Sequence, residues 1–217
     1  MLTYSSGTGF FITRDGYVLT NHHVIDHCHD ISISGAVTQT PAVLVSYNAD
    51  YDLALLKTYA SPRDIARLAS MKQPLKEGDP VVVVGYPGQA WQTGNTVMRQ
   101  ASILDTRGPQ GEEKWLEFSD ALQQGNSGGP LLDSSGNVVG VVVAKGRLYT
   151  YDERTHDQQD ISRFDLAISL PVVRDFLQNN DVTYQQADSG LYESANGISA
   201  QAQRFVVNVR CRYDQAM

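Results

Sequence analysis

Gly9-Phe10-Phe11-Ile12-Thr13-Arg14-Asp15-Gly16-Tyr17-Val18-Leu19-Thr20 holds two short apolar runs separated by a turn that carries Asp-Gly. Runs of this length, bounded in this way, read as two antiparallel strands of a hairpin. The same texture continues outward through Ile31-Ser32-Ile33-Ser34, Ala42 to Ser46, Leu53 to Leu56, Val81 to Val84, Val97 to Leu104, Trp115 to Phe118 and Val138 to Val143. Many short strands with turn signals between them predict an all-β sandwich or barrel. No repeat of fixed period and no low-complexity tract interrupts the pattern.

Composition narrows the class. The chain has 217 residues, 41% of them apolar, a formal net charge of -7 and 2 Cys. That length buries a core without metals or several disulfides. An acidic chain with this apolar content is neither a disordered segment nor a nucleic-acid surface, so no nucleic-acid partner is expected. The apolar runs fall far short of the about 18 residues a transmembrane helix needs, so no membrane insertion is expected. Met1-Leu2-Thr3-Tyr4 lacks a basic start and an apolar core, and no secretory signal is read there.

The strands divide into residues 1–58 and 79–170, joined by a connection over 59–78. Within it Ser61-Pro62-Arg63-Asp64 is expected to open a short helical stretch, and Lys76 to Pro80 reads as a loop. Pro171 to Leu177 has proline in a permitted first-turn position and predicts a helix over 171–180. In the extension 181–217, Phe205, Val207, Val209 and Cys211 alternate and predict a tail strand. Asp188-Ser189-Gly190 and Glu193 to Gly197 read as loop or tether.

Three segments carry chemistry: Thr20-Asn21-His22-His23-Val24, Tyr51-Asp52-Leu53-Ala54-Leu55, and Gln124-Gly125-Asn126-Ser127-Gly128-Gly129-Pro130. A serine hydroxyl is a weak nucleophile. It needs an imidazole to take its proton and a carboxylate to fix that imidazole's tautomer. Glycines beside Ser127 allow a tight turn that aims the amides of Gly125 and Ser127 at one spot, where they would hold an oxyanion. Taken singly, the serine motif also reads as a loop, the histidine as a core or surface residue and the aspartate as a turn residue; their joint order, spacing and placement at strand ends favour the catalytic reading.

Over about residues 5–180 these motifs resemble the trypsin-like, chymotrypsin-fold serine proteases, and more closely their bacterial HtrA branch. The resemblance implies two six-stranded antiparallel β-barrels with a catalytic triad of His23, Asp52 and Ser127. His23 rather than His22 is selected because it directly precedes Val24. An oxyanion hole at Gly125 and Ser127, a polypeptide substrate and no cofactor are implied as well. A specificity pocket is implied at Ala121, Leu122, Gln123 and Gln124, facing Val143, Ala144 and Lys145. Ala121 stands where relatives that cleave after Lys or Arg carry a buried carboxylate, so cleavage after small or medium aliphatic residues is expected. Val143 replaces the serine that commonly supports the catalytic Asp, so Asp52 must be supported otherwise. Asn126 stands where zymogen-activated relatives have a buried Asp, so no N-terminal cleavage is expected to be needed.

Two readings of Cys28 and Cys211 stand open. They are inert thiols, or a disulfide that pins the tail strand beside the histidine loop and implies a periplasmic or secreted setting. The cluster His22, His23, His27, Cys28 and His29 invites a metal reading, but consecutive side chains diverge, and no metal site is expected. Too few residues follow the helix for the peptide-binding domain common in the HtrA branch. The resemblance leaves the oligomeric state open. A catalytically silent scaffold and an esterase using the same triad are the rival functions.

Overall fold

The computed structural model describes residues 2–119, 122–152, 157–190 and 192–214. Five strands come from the first quarter of the chain: β1 (Leu2–Phe11), β2 (Tyr17–Thr20), β3 (Asp30–Gly35), β4 (Thr40–Asn48) and β5 (Leu53–Lys57). A one-turn helix, α1 (His22–Ile25), follows β2. Five staves do not close this barrel. The sixth is the last strand of the chain, β14 (Val206–Asp214), which lies antiparallel between β1 and β3 in the order β1-β14-β3-β4-β5-β2. The strand expected as a tail is thus part of the first barrel. Its alternation explains why: Val207, Val209 and Cys211 are buried on the barrel interior, and Leu2 to Phe10 pair with Asp214 to Val206 along one edge.

The second barrel is built from β7 (Pro80–Gly85), β8 (Val97–Asp105), β9 (Trp115–Ser119), β10 (Pro130–Leu132), β11 (Val138–Asp152) and β12 (Asp157–Ser169). Its order is β10-β7-β8-β9-β12-β11, closed by the β10–β11 pairing. Both six-stranded antiparallel barrels of the expected fold are present. Two short strands extend the second sheet in parallel: β6 (Arg67–Ala69) beside β11, and β13 (Gln185–Ala187) beside β6. The apolar runs read from the sequence fill the interiors, with Phe10, Phe11, Leu53 to Leu56, Val81 to Val84, Phe118 and Val141 almost wholly buried.

Two local expectations are corrected. No helix opens at Ser61. The Asp64 side chain accepts from Ile65 N–H at 2.9 Å and the Ala66 N–H donates to the Phe11 carbonyl at 2.8 Å, which draws the segment out along β1 and into β6. Conversely, α4 (Ala195–Ala202) begins inside Glu193 to Gly197, which reads as loop or tether. Ser194 caps it by accepting from Gly197 N–H, and only Ile198 and Ala202 on its inner face are buried, a pattern too sparse to see as periodicity. Between β7 and β8 lies α2 (Ala90–Thr93), and the helix expected over 171–180 is α3 (Leu170–Asn179), with proline in its first turn.

Candidate active site

The histidine and aspartate segments meet because β2 and β5 are neighbours. Thr20 opposes Ala54, so the chain leaving β2 passes beside the residue that enters β5. Asn21 then donates from Nδ2 to the Asp52 carbonyl at 2.8 Å, and His22 N–H donates to the same oxygen at 3.2 Å. Asp52 adopts a φ of 55°, a left-handed conformation that Asp tolerates better than most residues. Its side chain thereby turns onto His23: Oδ1 accepts the His23 main-chain N–H at 2.8 Å and Oδ2 lies 2.6 Å from Nδ1. An ionised carboxylate has no proton to give, so Nδ1 is the donor and Nε2 keeps its lone pair. The main-chain N–H of His23 is also the support for Asp52 that Val143 cannot supply.

The His23 side chain is half exposed. The other members of the histidine cluster diverge. His22 stacks flat on Tyr47 with ring centroids 4.4 Å apart, His27 is almost fully exposed and nearest Asp26, and Cys28 is joined to Cys211 in a disulfide, so no thiolate is available as a ligand.

The serine segment lies on the second barrel, between Leu122 and β10. Gly125 and Gly128 take φ values of 102° and 84°, which glycine adopts without penalty. A Cβ at Gly125 would stand 2.6 Å from the Tyr86 carbonyl, so the turn is closed to larger residues. Asn126 N–H bonds to the Gln123 carbonyl and Gly129 N–H to that of Asn126, while Gly128 N–H reaches the Val142 carbonyl on β11. The β11–β12 pairing skips from Val142 to Ala144. That irregularity leaves the Val143 carbonyl to accept the Ser127 hydroxyl at 2.9 Å. In this resting arrangement no hydrogen bond from Ser127 to His23 is among the described contacts. Rotation about one side-chain bond redirects the hydroxyl, and catalytic hydrogen bonds commonly tighten only with substrate in place.

The other residues expected to line a specificity pocket lie in varied settings. Leu122 is buried, and its N–H donates to Asp165 Oδ2 at 2.7 Å. Gln123 and Gln124 are exposed, and the Gln124 carbonyl accepts from Gly88 N–H at 2.8 Å. Ala144 pairs with Leu166 and Lys145 with Asp165 along β11 and β12. Ala121, and the side chains of Ala144 and Lys145, lie outside the described residues. Three residues close to the site escaped the sequence reading: Thr8, Gly88 and the buried Asp165. Only Asp165 left a local signal, a single carboxylate within the otherwise apolar Phe164 to Ile168.

The family model for the trypsin-like peptidase domain matches residues 7–141. A protein named as a probable periplasmic serine endoprotease DegP-like, from Rhizobium meliloti, is 37% identical over 152 residues, covering 64% of this chain and 28% of its own length. Serine protease HTRA1 of Xenopus laevis is 31% identical over 150 residues, covering 65% of this chain and 32% of its own length. The chain thus spans less than a third of the length of these relatives. Among solved structures, the serine endoprotease from Yersinia pestis superposes with a TM-score of 0.63 at 24% identity, over 80% of this chain and 57% of that one. The inactive form of the Rv3671c protease superposes with a TM-score of 0.60 at 28% identity, over 82% of this chain and 87% of that one.

Proposed function

Since the chain belongs to the trypsin-like peptidase family, we propose that it is a serine endopeptidase working through His23, Asp52 and Ser127. The observation that carries this reading is the double contact of Asp52 with His23, at 2.6 and 2.8 Å. It leaves Nε2 as a base on the cleft that Ser127 borders from the other barrel. In the proposed cycle Ser127 Oγ attacks the substrate carbonyl carbon while its proton passes to His23 Nε2. The oxyanion is held by the Gly125 and Ser127 amides. The C–N bond then breaks as Nε2 gives the proton to the departing amine, and water repeats the sequence to release the acid. The base must be neutral to take that proton.

Substrate backbone is proposed to pair with β11 at Val143 to Lys145 by strand addition. Small or medium aliphatic side chains such as Val, Ala, Ile or Leu are proposed to fill the pocket beside Leu122. A peptide library reports this preference directly. Dominant cleavage after Lys or Arg would overturn it and make Asp165, behind the Leu122 amide, the residue responsible.

Maturation without N-terminal cleavage is proposed from Asn126, a neutral side chain 2% exposed where an ion pair would otherwise be required. Leu2 pairs with Asp214 at the far end of β1, about 20 Å from Thr8 at roughly 3.3 Å per residue. A short N-terminal extension is therefore expected to leave kcat/KM on a peptide substrate within about twofold; abolished activity in a folded, extended protein would refute it. The disulfide favours a periplasmic or secreted location.

The Ser127 hydroxyl on the Val143 carbonyl is the specific observation behind a second reading, a catalytically silent scaffold. A fluorophosphonate probe separates the two. The protease reading requires labelling of the native chain and none of Ser127→Ala, and casein digestion then separates a protease from an esterase.

A further inference from the structure

Thr8 belongs to β1 of the first barrel, yet its main-chain N–H and its hydroxyl serve the second. Its main-chain N–H donates to the Ser127 carbonyl at 2.8 Å. Its hydroxyl donates to the Gly125 carbonyl at 2.7 Å and accepts from Tyr86 N–H at 3.0 Å. Its own carbonyl accepts from the Thr20 hydroxyl at 2.7 Å, at the end of the strand that leads to His23. The residue is wholly buried. One side chain therefore touches the serine turn and the end of β7 while its backbone touches the approach to the histidine.

The direction of the hydroxyl bonds is set by chemistry. A peptide N–H is only a donor and a peptide carbonyl only an acceptor, so the chain runs from Tyr86 N–H through Thr8 Oγ1 to the Gly125 oxygen. Gly125 is held on its other side as well. The Gln124 carbonyl is taken by Gly88 N–H at 2.8 Å, and in a trans peptide the N–H points opposite the C=O. The Gly125 amide is thus turned away from Gly88. A glycine at a φ of 102° has little steric barrier to reorientation of its peptide planes. Gly88 fixes the plane before it and Thr8 the plane after it.

We propose that Thr8 is a positioning residue for the oxyanion hole: its hydroxyl clamps the Gly125 carbonyl from the opposite barrel and so holds the Gly125–Asn126 peptide plane, which links the Gly125 and Ser127 amides and keeps their relative aim. The assignment rests on the serine-protease reading above. It makes the oxyanion turn of the second barrel dependent on correct seating of β1 in the first.

Thr8→Val, Thr8→Ala and Thr8→Ser test it, with kcat expressed per site titrated to completion with a fluorophosphonate. Loss of a whole oxyanion donor costs about 100- to 1,000-fold in kcat; a misaimed donor is expected to cost about 10- to 100-fold. The Val and Ala variants should show that fall with KM within about threefold of the native value. Their affinity for a peptide boronate should fall in parallel, and the acid limb of the pH profile should stay in place because the His23–Asp52 pair is untouched. Thr8→Ser, which keeps the hydroxyl, should recover most of the loss. Native kcat in Thr8→Ala, a Ser variant as defective as Val, or a rise in KM at unchanged kcat would each overturn the assignment. So would a Thr8→Ala chain without a cooperative unfolding transition, which would make the hydroxyl a folding determinant. A native chain that neither labels nor cleaves sinks the protease reading, and this inference with it; the other outcomes sink this inference alone.

Discussion

Replacing Ser127 with alanine is expected to lower turnover on a peptide substrate about a millionfold while leaving the fold intact. The reason is that nucleophile and base act as one unit. Without Oγ there is no acyl-enzyme, and His23 has only solvent to activate, so His23→Ala should fall to about the same floor, and the double variant no further. Asp52→Asn separates orientation from base strength. An amide in place of the carboxylate presents an N–H or a poorer acceptor to Nδ1, which disfavours the tautomer that leaves Nε2 free; about a 10,000-fold loss is expected. Here the change has a further consequence, since Asp52 Oδ1 also accepts the His23 main-chain N–H. Single-turnover rates with an activated ester and a peptide, measured for the native chain and the four variants, check the set. A Ser127→Ala chain with more than about a thousandth of native turnover would contradict a serine nucleophile.

Deleting the last strand, by ending the chain before Phe205, is expected to abolish activity although the three proposed catalytic residues remain. β14 is paired along its length with β1 on one side and with β3 on the other. Removing it exposes two strand edges and the interior side chains around Val207 and Val209. It also removes the bond from Asn208 Nδ2 to the buried Gly7 carbonyl, next to Thr8. The barrel that carries His23 and Asp52 loses its closure, and with it the seating of β1 against the serine turn. The disulfide is the milder version of the same change. Cys28 follows the histidine helix and Cys211 lies within β14, and the bond closes a loop of 183 residues. Cys28→Ser with Cys211→Ser is expected to cost about 2–5 kcal/mol in denaturant unfolding, with activity retained where the chain stays folded. A truncated chain with native activity, or a double serine variant within about 1 kcal/mol of native stability, would show that β14 is dispensable or held by pairing alone.

The site was legible in the sequence to the extent that its chemistry is local. Gly125-Asn126-Ser127-Gly128-Gly129 announces a tight turn around the proposed nucleophile, and Asp52-Leu53-Ala54-Leu55 announces an acid at a strand entrance. What escaped was everything that depends on which strand lies beside which. Thr8 sits between glycines in an ordinary strand pattern, and nothing in Gly7-Thr8-Gly9 says that its hydroxyl faces Gly125 across the interface between barrels. Gly88 contributes a main-chain N–H, which carries no side-chain signature at all. α4 was missed because a helix with two buried residues has no readable period, and the helix expected at Ser61 was lost to a main-chain bond with Phe11.

By itself the sequence determined the strand-rich class, and it supplied the expected grouping of strands and the three segments proposed to carry the chemistry. These are written in short-range alternation, turn residues and motif order, and each depends on a few neighbouring residues. Only the tertiary structure decided that residues 206–214 close the first barrel, that Cys28 meets Cys211, and that the Thr8 hydroxyl of β1 reaches the Gly125 carbonyl of the serine turn. The reason is the regularity of the strand. Any apolar strand with free edges can pair with any other in either register, so the choice of partner is made by closure of the whole barrel and burial of its interior rather than by local residues.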